Sequence, residues 1–570
     1  MKRFLAVFGG AFAIYSGAFA GTFSQLDTLI PVPASATATA SGDTTAATSS
    51  TIHLDARVYI PDGVSAPAPV VVVVHGYGES KTSATVVAAA TDLASQGYVV
   101  LTPSTRGFGD SDGLVTLAGP NEINDLKTII LAAQTGAIGD SPAVASPVNA
   151  SSKFGVTGAS YGGGHAFEIM RTHVAGLAAV APVVGWTDLY QSLSPNDVPK
   201  LSYGLALFAS GFDLQNPNYD DQIFDWLRNL LGGSPENIRT GGPQSNIDWR
   251  SVIFNPTELS VPVFAVQGWH DWLFPAEQAT ALFQSTTAIP FFKMYVGGVG
   301  HPPASSDITT AEALYVRAQV VRWFDHWLKG TNNGIDLEPR VTIAPERTAL
   351  WSQATLVTSN TFPLAGTTTS NYYFNGAKLL TTGGKGKSQI VPPNSILPPV
   401  LQPIQNALGQ NAATLIGAVI AVNSIVNSGG GIFDGNVDTS LDTSASFISF
   451  TSAPLTQSVH VVGLPEIHLY GSATASDAYY YVQITEVTPN GSEHVVSRSA
   501  FKDHTANFRV AHALNFTGFS ANHIFDVGNE IRVRVSSRDF PFFYTTASQP
   551  TIKIYRSGLN SSHITLPVVP

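Results

Sequence analysis

The sequence predicts a doubly wound α/β sheet with a helical cap insertion, followed by an all-β sandwich, and three observations predict it. Between residues 52 and 345, short β-branched runs alternate with helix-length amphipathic segments, the rhythm of parallel strands joined by crossover helices. Between residues 186 and 259 that rhythm stops, and helical pieces broken by Pro and Gly stand where no buried strand can be read; so long an insertion reads as a cap. From 346 to 570 Thr, Ser and Val dominate short alternating runs separated by turns, the spacing of a β-sandwich.

Taken in order, Met1-Lys2-Arg3 gives a positive start, Phe4 to Phe19 is apolar or small, and Ala18-Phe19-Ala20 offers a cleavage site. A cleaved signal peptide over residues 1–20 is expected, and with it a secreted or periplasmic protein; the run is short and glycine-interrupted for a membrane span. Residues 21–51 read as a Ser/Thr/Ala-rich spacer, of which 33–51, with little to bury, are expected to be mobile. Ile52 to Ile60 alternates as an antiparallel strand does, whereas Val70 to Val74 is continuous and β-branched, a strand buried on both faces. A helix from Thr85 to Gln96, a strand from Tyr98 to Thr102, a Gly/Asp-rich loop, a helix from Glu122 to Gln134, and strands at Phe154 to Ala159 and Leu177 to Val184 follow. The cap holds helical pieces at Leu201 to Ala209 and Gln222 to Leu231. Strands resume at Val261 to Gln267 and Phe291 to Val296, and Ala311 to Leu328 is amphipathic, with Val316, Val320, Trp323, Phe324 and Trp327 on its apolar side. In the last third, the apolar run Leu415 to Val426 is too short to cross a bilayer and is read as a buried or cap-contacting segment.

Composition excludes several classes. The 570 residues carry a formal charge of −11 without a strong Lys/Arg cluster, which argues against nucleic-acid and anionic-membrane partners. With no cysteine, disulfides, thiolate metal sites and a cysteine nucleophile are impossible, and no metal or cofactor is expected.

The chemistry is carried by Gly158-Ala159-Ser160-Tyr161-Gly162, a Gly-x-Ser-x-Gly turn between a β-prone run and a helix-compatible segment. So tight a turn admits only small residues at its two glycines and lifts the serine clear of the sheet. With 51 glycines in the chain, chance matches occur, so the partners decide. Strand Val261 to Gln267 runs out into Gly268-Trp269-His270-Asp271-Trp272, and the next strand ends in Gly297-Gly298-Val299-Gly300-His301. Ser160, Asp271 and His301 thus follow three separate strands in the order nucleophile, acid, base, which is the chain order of an α/β-hydrolase. His75 and His270 lack that order. Ser160 would attack, His301 would take its proton and return it to the leaving group, and Asp271 would fix the imidazole tautomer. Tyr161 N–H is one candidate oxyanion donor; Tyr77, after the Val70 to Val74 strand, is the other, through its hydroxyl or its backbone N–H.

On these residues the chain resembles the X-Pro dipeptidyl-peptidase and cocaine-esterase group of serine hydrolases. The resemblance rests on Arg106-Gly107-Phe108-Gly109 with Asp112-Gly113, the elbow at Gly158 to Gly163, Gly268-Trp269-His270-Asp271, and Trp323-Phe324-Asp325-His326-Trp327-Leu328-Lys329-Gly330. Pieces such as Asp539-Phe540-Pro541 look like those of the family's C-terminal jelly-roll domain. The resemblance implies nucleophile, acid and base roles for Ser160, Asp271 and His301, and in some members a tyrosine hydroxyl in the oxyanion hole, at the loop where Tyr77 stands. Arg106 and Asp325-His326-Trp327 read as structural. It further implies a small-molecule ester or short-peptide substrate, with an α-amino-acid ester hydrolase or acylase, a lipase-type esterase, and an inactive binding protein as alternatives. Recognition of a substrate amine would need a carboxylate facing the cleft, for which Asp188 is the candidate; Trp186, Trp269 and Trp272 are the candidate substrate-contacting aromatics.

Overall fold

The computed structural model describes residues 21–136, 138, 147–285, 287–301, 308–382, 388–393, 398–426, 445–544, 549–556 and 561–570, so the signal peptide expected at 1–20 lies outside the described residues. In chain order the first strands are β1 (Phe23–Pro33), β2 (Ala36–Ala38), β3 (Thr44–Ala46), β4 (Thr51–Pro61), β5 (Val70–Val74), β6 (Val99–Pro103), β7 (Phe154–Ala159), β8 (Leu177–Val183), β9 (Val263–Gly268), β10 (Phe292–Gly297), β11 (Val341–Ile343) and β12 (Val357–Ser359). The helices among them are α1 (Ala84–Ser95), α2 (Pro120–Gln134), α3 (Tyr161–Glu168), α4 (Leu189–Leu193), α5 (Leu201–Gly211), α6 (Asp221–Leu231), α7 (Glu277–Ser285) and α8 (Thr310–Trp327).

Ten strands form one sheet in the order β1-β4-β6-β5-β7-β8-β9-β10-β11-β12. Strands β6 through β11 in that order are parallel, with β1, β4 and β12 antiparallel at the edges. All five valines of β5 are buried, as a strand covered on both faces requires, each contributing about 1.5–3 kcal/mol of burial. From β5 the chain steps outward to β6 and then returns to β5's other side with β7, so the strand order reverses there. That reversal leaves a crevice beyond the carboxyl ends of β5 and β7, where α/β proteins bind ligands. The doubly wound sheet, its helical insertion between β8 and β9, and the all-β C-terminal region match the expected fold class.

Two expectations are corrected. Residues 21–51 are not a mobile spacer: β1 pairs with β4 from Phe23↔Pro61 to Pro33↔Thr51, buries Ile30 and Val32, and is followed by the β2-β3 hairpin packed on α2. Arg106, in an ion pair with Asp125 (2.6 Å), also donates to Pro33 O and Ala34 O and so holds the end of β1. The first sheet also runs past residue 345, because β12 pairs with β11 as its edge strand.

The C-terminal strands form a thirteen-stranded, mainly antiparallel sheet around its own core. Its strand Ala478–Val487 is buried along its whole length, unusual in an antiparallel sheet. The reason is that its two faces serve different cores: Tyr480, Val482 and Ile484 join the core of this sheet, while Tyr479 and Tyr481 join the core that contains the cap. Helix Ala412–Val426 packs on α5 through the same core, with Leu415, Val419 and Val422 buried. Trp272 closes the junction from the other side, its ring against Phe519 (6.0 Å) and Phe542 (5.7 Å).

Candidate active site

At the turn from β7 into α3, Ser160 has φ 58° and ψ −113°, a conformation a side-chain-bearing residue adopts only under constraint, at a cost of about 1–3 kcal/mol. The constraint is local: Ser160 N–H donates to Val183 O (2.9 Å) and Ser160 O accepts from Gly164 N–H (3.0 Å). The flanking glycines are sterically required. A Cβ on Gly158 would stand 2.4 Å from Val74 O, and one on Gly162 2.1 Å from the same atom, so any larger residue would push α3 off β5.

Beyond β9 and β10, which pair in register up to Gly268↔Gly297, the two following loops bring Asp271 and His301 together. His301 Nδ1–H donates to Asp271 Oδ2 (2.8 Å), and Ser160 Oγ–H donates to His301 Nε2 (2.7 Å). Asp271 is fully buried, yet its carboxylate is well served: Oδ2 also accepts His301 N–H (3.1 Å), and Oδ1 accepts Leu273 N–H (3.1 Å) and Phe274 N–H (3.0 Å). Phe274 meets the imidazole edge-to-face at 5.2 Å and keeps water from that side. An anion so solvated by N–H groups is held in one orientation, and it fixes the imidazole tautomer that leaves Nε2 free to accept.

Tyr161 opens α3, so its N–H is one of the unpaired donors at a helix start and belongs to the positive end of the helix dipole. Its hydroxyl donates to Glu122, which also accepts from Thr116 N–H and Ala118 N–H (3.0 Å) and faces His165 Nε2 (3.1 Å). Burial alone would raise the Glu122 pKa; His165, Tyr161 and the Thr116 N–H outweigh it and hold the carboxylate down at about 2. Sequence reading missed this anchor. Tyr77 follows β5 on the other side of the crevice, its ring edge-on to Tyr161 (5.2 Å) and Phe108 (5.3 Å) and 6.4 Å from the ring of Tyr219 of the cap, whose hydroxyl donates to Phe208 O (3.0 Å). His75, just before it, is buried with Nδ1–H on Gly76 O (2.7 Å) and Nε2 accepting Thr105 N–H (2.9 Å). Burial brings its pKa down to about 4, and its place is to tie the β5 loop to the β6 loop.

Ser160 opens onto a cavity of about 110 Å³ roofed by the cap helices α5 and α6. The predicted oxyanion residues Tyr77 and Tyr161 line it, and of the predicted substrate contacts Trp186 does. Asp188 does not face it. Its carboxylate caps α4 by accepting Gln191 N–H (3.0 Å) and borders a different cleft; burial, against that N–H, lifts its pKa to about 6. Trp269 and Trp272 are not among the lining residues either, Trp269 being packed in the core and Trp272 spent on the domain junction. Each stands near the end of a sheet strand, but strand position alone does not say which way a side chain turns.

Residues 50–302 match the X-Pro dipeptidyl-peptidase (S15) family, and residues 333–566 match the X-Pro dipeptidyl-peptidase C-terminal non-catalytic domain. The chain belongs to the S15 family of serine hydrolases. A Bacillus anthracis protein named "Putative Xaa-Pro dipeptidyl-peptidase" is 25% identical to this S15 chain over 261 residues, which is 44% of this chain and 42% of that protein, so the match spans less than half of the relative's length. Two solved structures share the S15 chain's fold nearly end to end. A CocE/NonD family hydrolase from Staphylococcus aureus superposes with a TM-score of 0.66 at 14% identity, over 97% of this chain and 99% of that one. An α-amino acid ester hydrolase does so with 0.65 at 17%, over 97% and 98%.

Proposed function

We propose that this S15 chain is a secreted or periplasmic hydrolase that cleaves ester bonds, and amides of similar reach, through a Ser160–His301–Asp271 triad and an acyl-enzyme. The observation that carries the reading is the unbroken hydrogen-bonded chain from Ser160 Oγ through His301 to Asp271 at the mouth of a cavity. Export rests on the sequence of residues 1–20.

In the first half-reaction His301 Nε2 takes the Ser160 proton as Oγ attacks the substrate carbonyl; the carbonyl π pair moves to oxygen, and Asp271 stabilises the imidazolium. Tyr161 N–H is one donor to that oxyanion, placed by the start of α3 and anchored through its own hydroxyl on Glu122. The second donor is Tyr77, on the loop after β5 and lining the same cavity, through its N–H or its hydroxyl. Collapse expels the alkoxide with the proton from Nε2. Water then enters, gives its proton to Nε2 and attacks the acyl carbon; collapse breaks the acyl–Oγ bond, Nε2–H returns the proton to Oγ, and the carboxylic acid leaves. An ester is the easier substrate, because an alkoxide leaves with less help from the imidazolium than an amine needs.

The kinetic test is Ser160→Ala and His301→Ala on p-nitrophenyl acetate. Each should lower kcat by on the order of 10⁶, and the double variant should fall little further, because the pair acts as one unit. Asp271→Asn should cost about 10⁴ through the wrong tautomer. A single variant with near-normal kcat would refute the assignment.

A further inference from the structure

The walls of the cavity at Ser160 follow from two helices whose apolar residues recur at helical spacing. Leu201, Gly204 and Phe208 on α5 face Ile223, Leu227 and Leu231 on α6, each a stripe at i, i+3 or i+4, and i+7 or i+8. Such stripes ordinarily fill the space between helices; here they bound an empty one. At 1.5 Å of rise per residue the two stripes run roughly 10–12 Å.

We propose that this cavity is an acyl-chain subsite and that the enzyme's substrates are esters of uncharged, unbranched carboxylic acids of about eight carbons, a reading that rests on Ser160 being the nucleophile. With bonds near 1.5 Å an extended zigzag advances about 1.25 Å per bond, so a chain of about eight carbons, roughly 9 Å long, fits within the length of those stripes. Among the described lining residues none is acidic, and the charged one, Lys200, spends its ammonium on Trp272 O (2.6 Å) and Leu273 O (3.0 Å). A substrate ammonium would therefore enter without a partner, whereas a methylene chain exchanges water for apolar walls. Asp188, which could have held an amine, caps α4 instead. Gly204 completes the argument. It lies inside α5, where glycine is a poor helix former, and a Cβ built on it meets nothing within 4 Å. The missing side chain leaves room at mid-cavity.

The test is the kcat/KM ratio for p-nitrophenyl octanoate over p-nitrophenyl acetate in the wild-type protein and in Gly204→Leu. The wild type should favour octanoate, and Gly204→Leu, whose side chain projects into the cavity, should lower the ratio at least about tenfold, as a few methylenes in an apolar pocket can. A ratio within about twofold of wild type, or a wild type that prefers acetate, overturns the subsite. Should Gly204→Leu fail to fold, the wild-type series from acetate to laurate decides: a maximum near octanoate is expected, and a steady fall from acetate overturns the proposal. Glycyl-prolyl p-nitroanilide and its N-acetylated form give a second arm; a free-amine preference above about tenfold would show an ammonium site and overturn it as well. Acetate hydrolysis lost in Ser160→Ala but no chain-length preference would sink this inference alone, while no hydrolysis of any ester would remove the underlying reading too.

Discussion

At the scale of single residues, the site is a set of groups whose orientation is fixed by neighbours. Tyr77 is the sharpest case, because its hydroxyl and its N–H make different predictions. If the N–H is the donor, Tyr77→Phe should lower kcat by less than about tenfold; a fall of about 10²–10³ would assign the oxyanion contact to the hydroxyl. His75 gives a prediction in pH. The unfolded imidazole protonates near 6.5, the buried one only near 4, so between those values the unfolded chain binds the extra proton. The stability tied to a neutral His75 is complete above pH 6.5 and is lost as pH falls from about 6.5 to 4, up to about 3 kcal/mol. Urea unfolding of wild type and His75→Gln should therefore show a stability difference that shrinks by that amount across the window, and a pH-independent difference would contradict a buried neutral imidazole. The order of Ser160, Asp271 and His301 was legible because each follows a strand whose pattern is local. The orientation of Asp188 was not argued from its own signal: Asp188-Leu189-Tyr190-Gln191 has the spacing of a helix cap, which is what the side chain does.

At the scale of elements, the parallel strands were readable because burial on both faces leaves continuous apolar runs such as Val70 to Val74. β1 was not, and the reason is specific. Pro31 and Pro33 argue against a strand, since proline cannot donate to a ladder, but β1 is the outermost strand of the sheet, where one side needs no donors. Its alternation of Ile30 and Val32 with exposed neighbours was present; its partner β4 and its tether to Arg106 come from elsewhere in the chain. The cap shows the same limit differently. Helices near α5 and α6 were expected, and their stripes could be seen, but periodicity does not tell a packed interface from an empty one. Only the space around Gly204 does that.

At the scale of the molecule, the C-terminal region is built into the first sheet's unit. Tyr544 N–H donates to Pro199 O (2.7 Å), Lys502 Nζ to Gly233 O (2.8 Å) and Ser520 N–H to Glu277 (3.1 Å), while Trp272, one residue from Asp271, is covered by Phe519 and Phe542. Trp323, by contrast, needs no cover from that region, since it packs on Phe264 and donates to Val180 O (3.1 Å). A chain ending after β12, near residue 360, should therefore expose the cap core and the Trp272 junction and be insoluble or inactive. A soluble, fully active truncation would show that the C-terminal region is an independent appendage. Activation of Ser160 is read out by covalent labelling of the full chain with a fluorophosphonate, because only an activated serine reacts. One label per chain on the peptide containing Ser160, abolished in Ser160→Ala and strongly slowed in His301→Ala, is the predicted result; no labelling of the folded wild-type protein, or labelling that persists in Ser160→Ala, would contradict it.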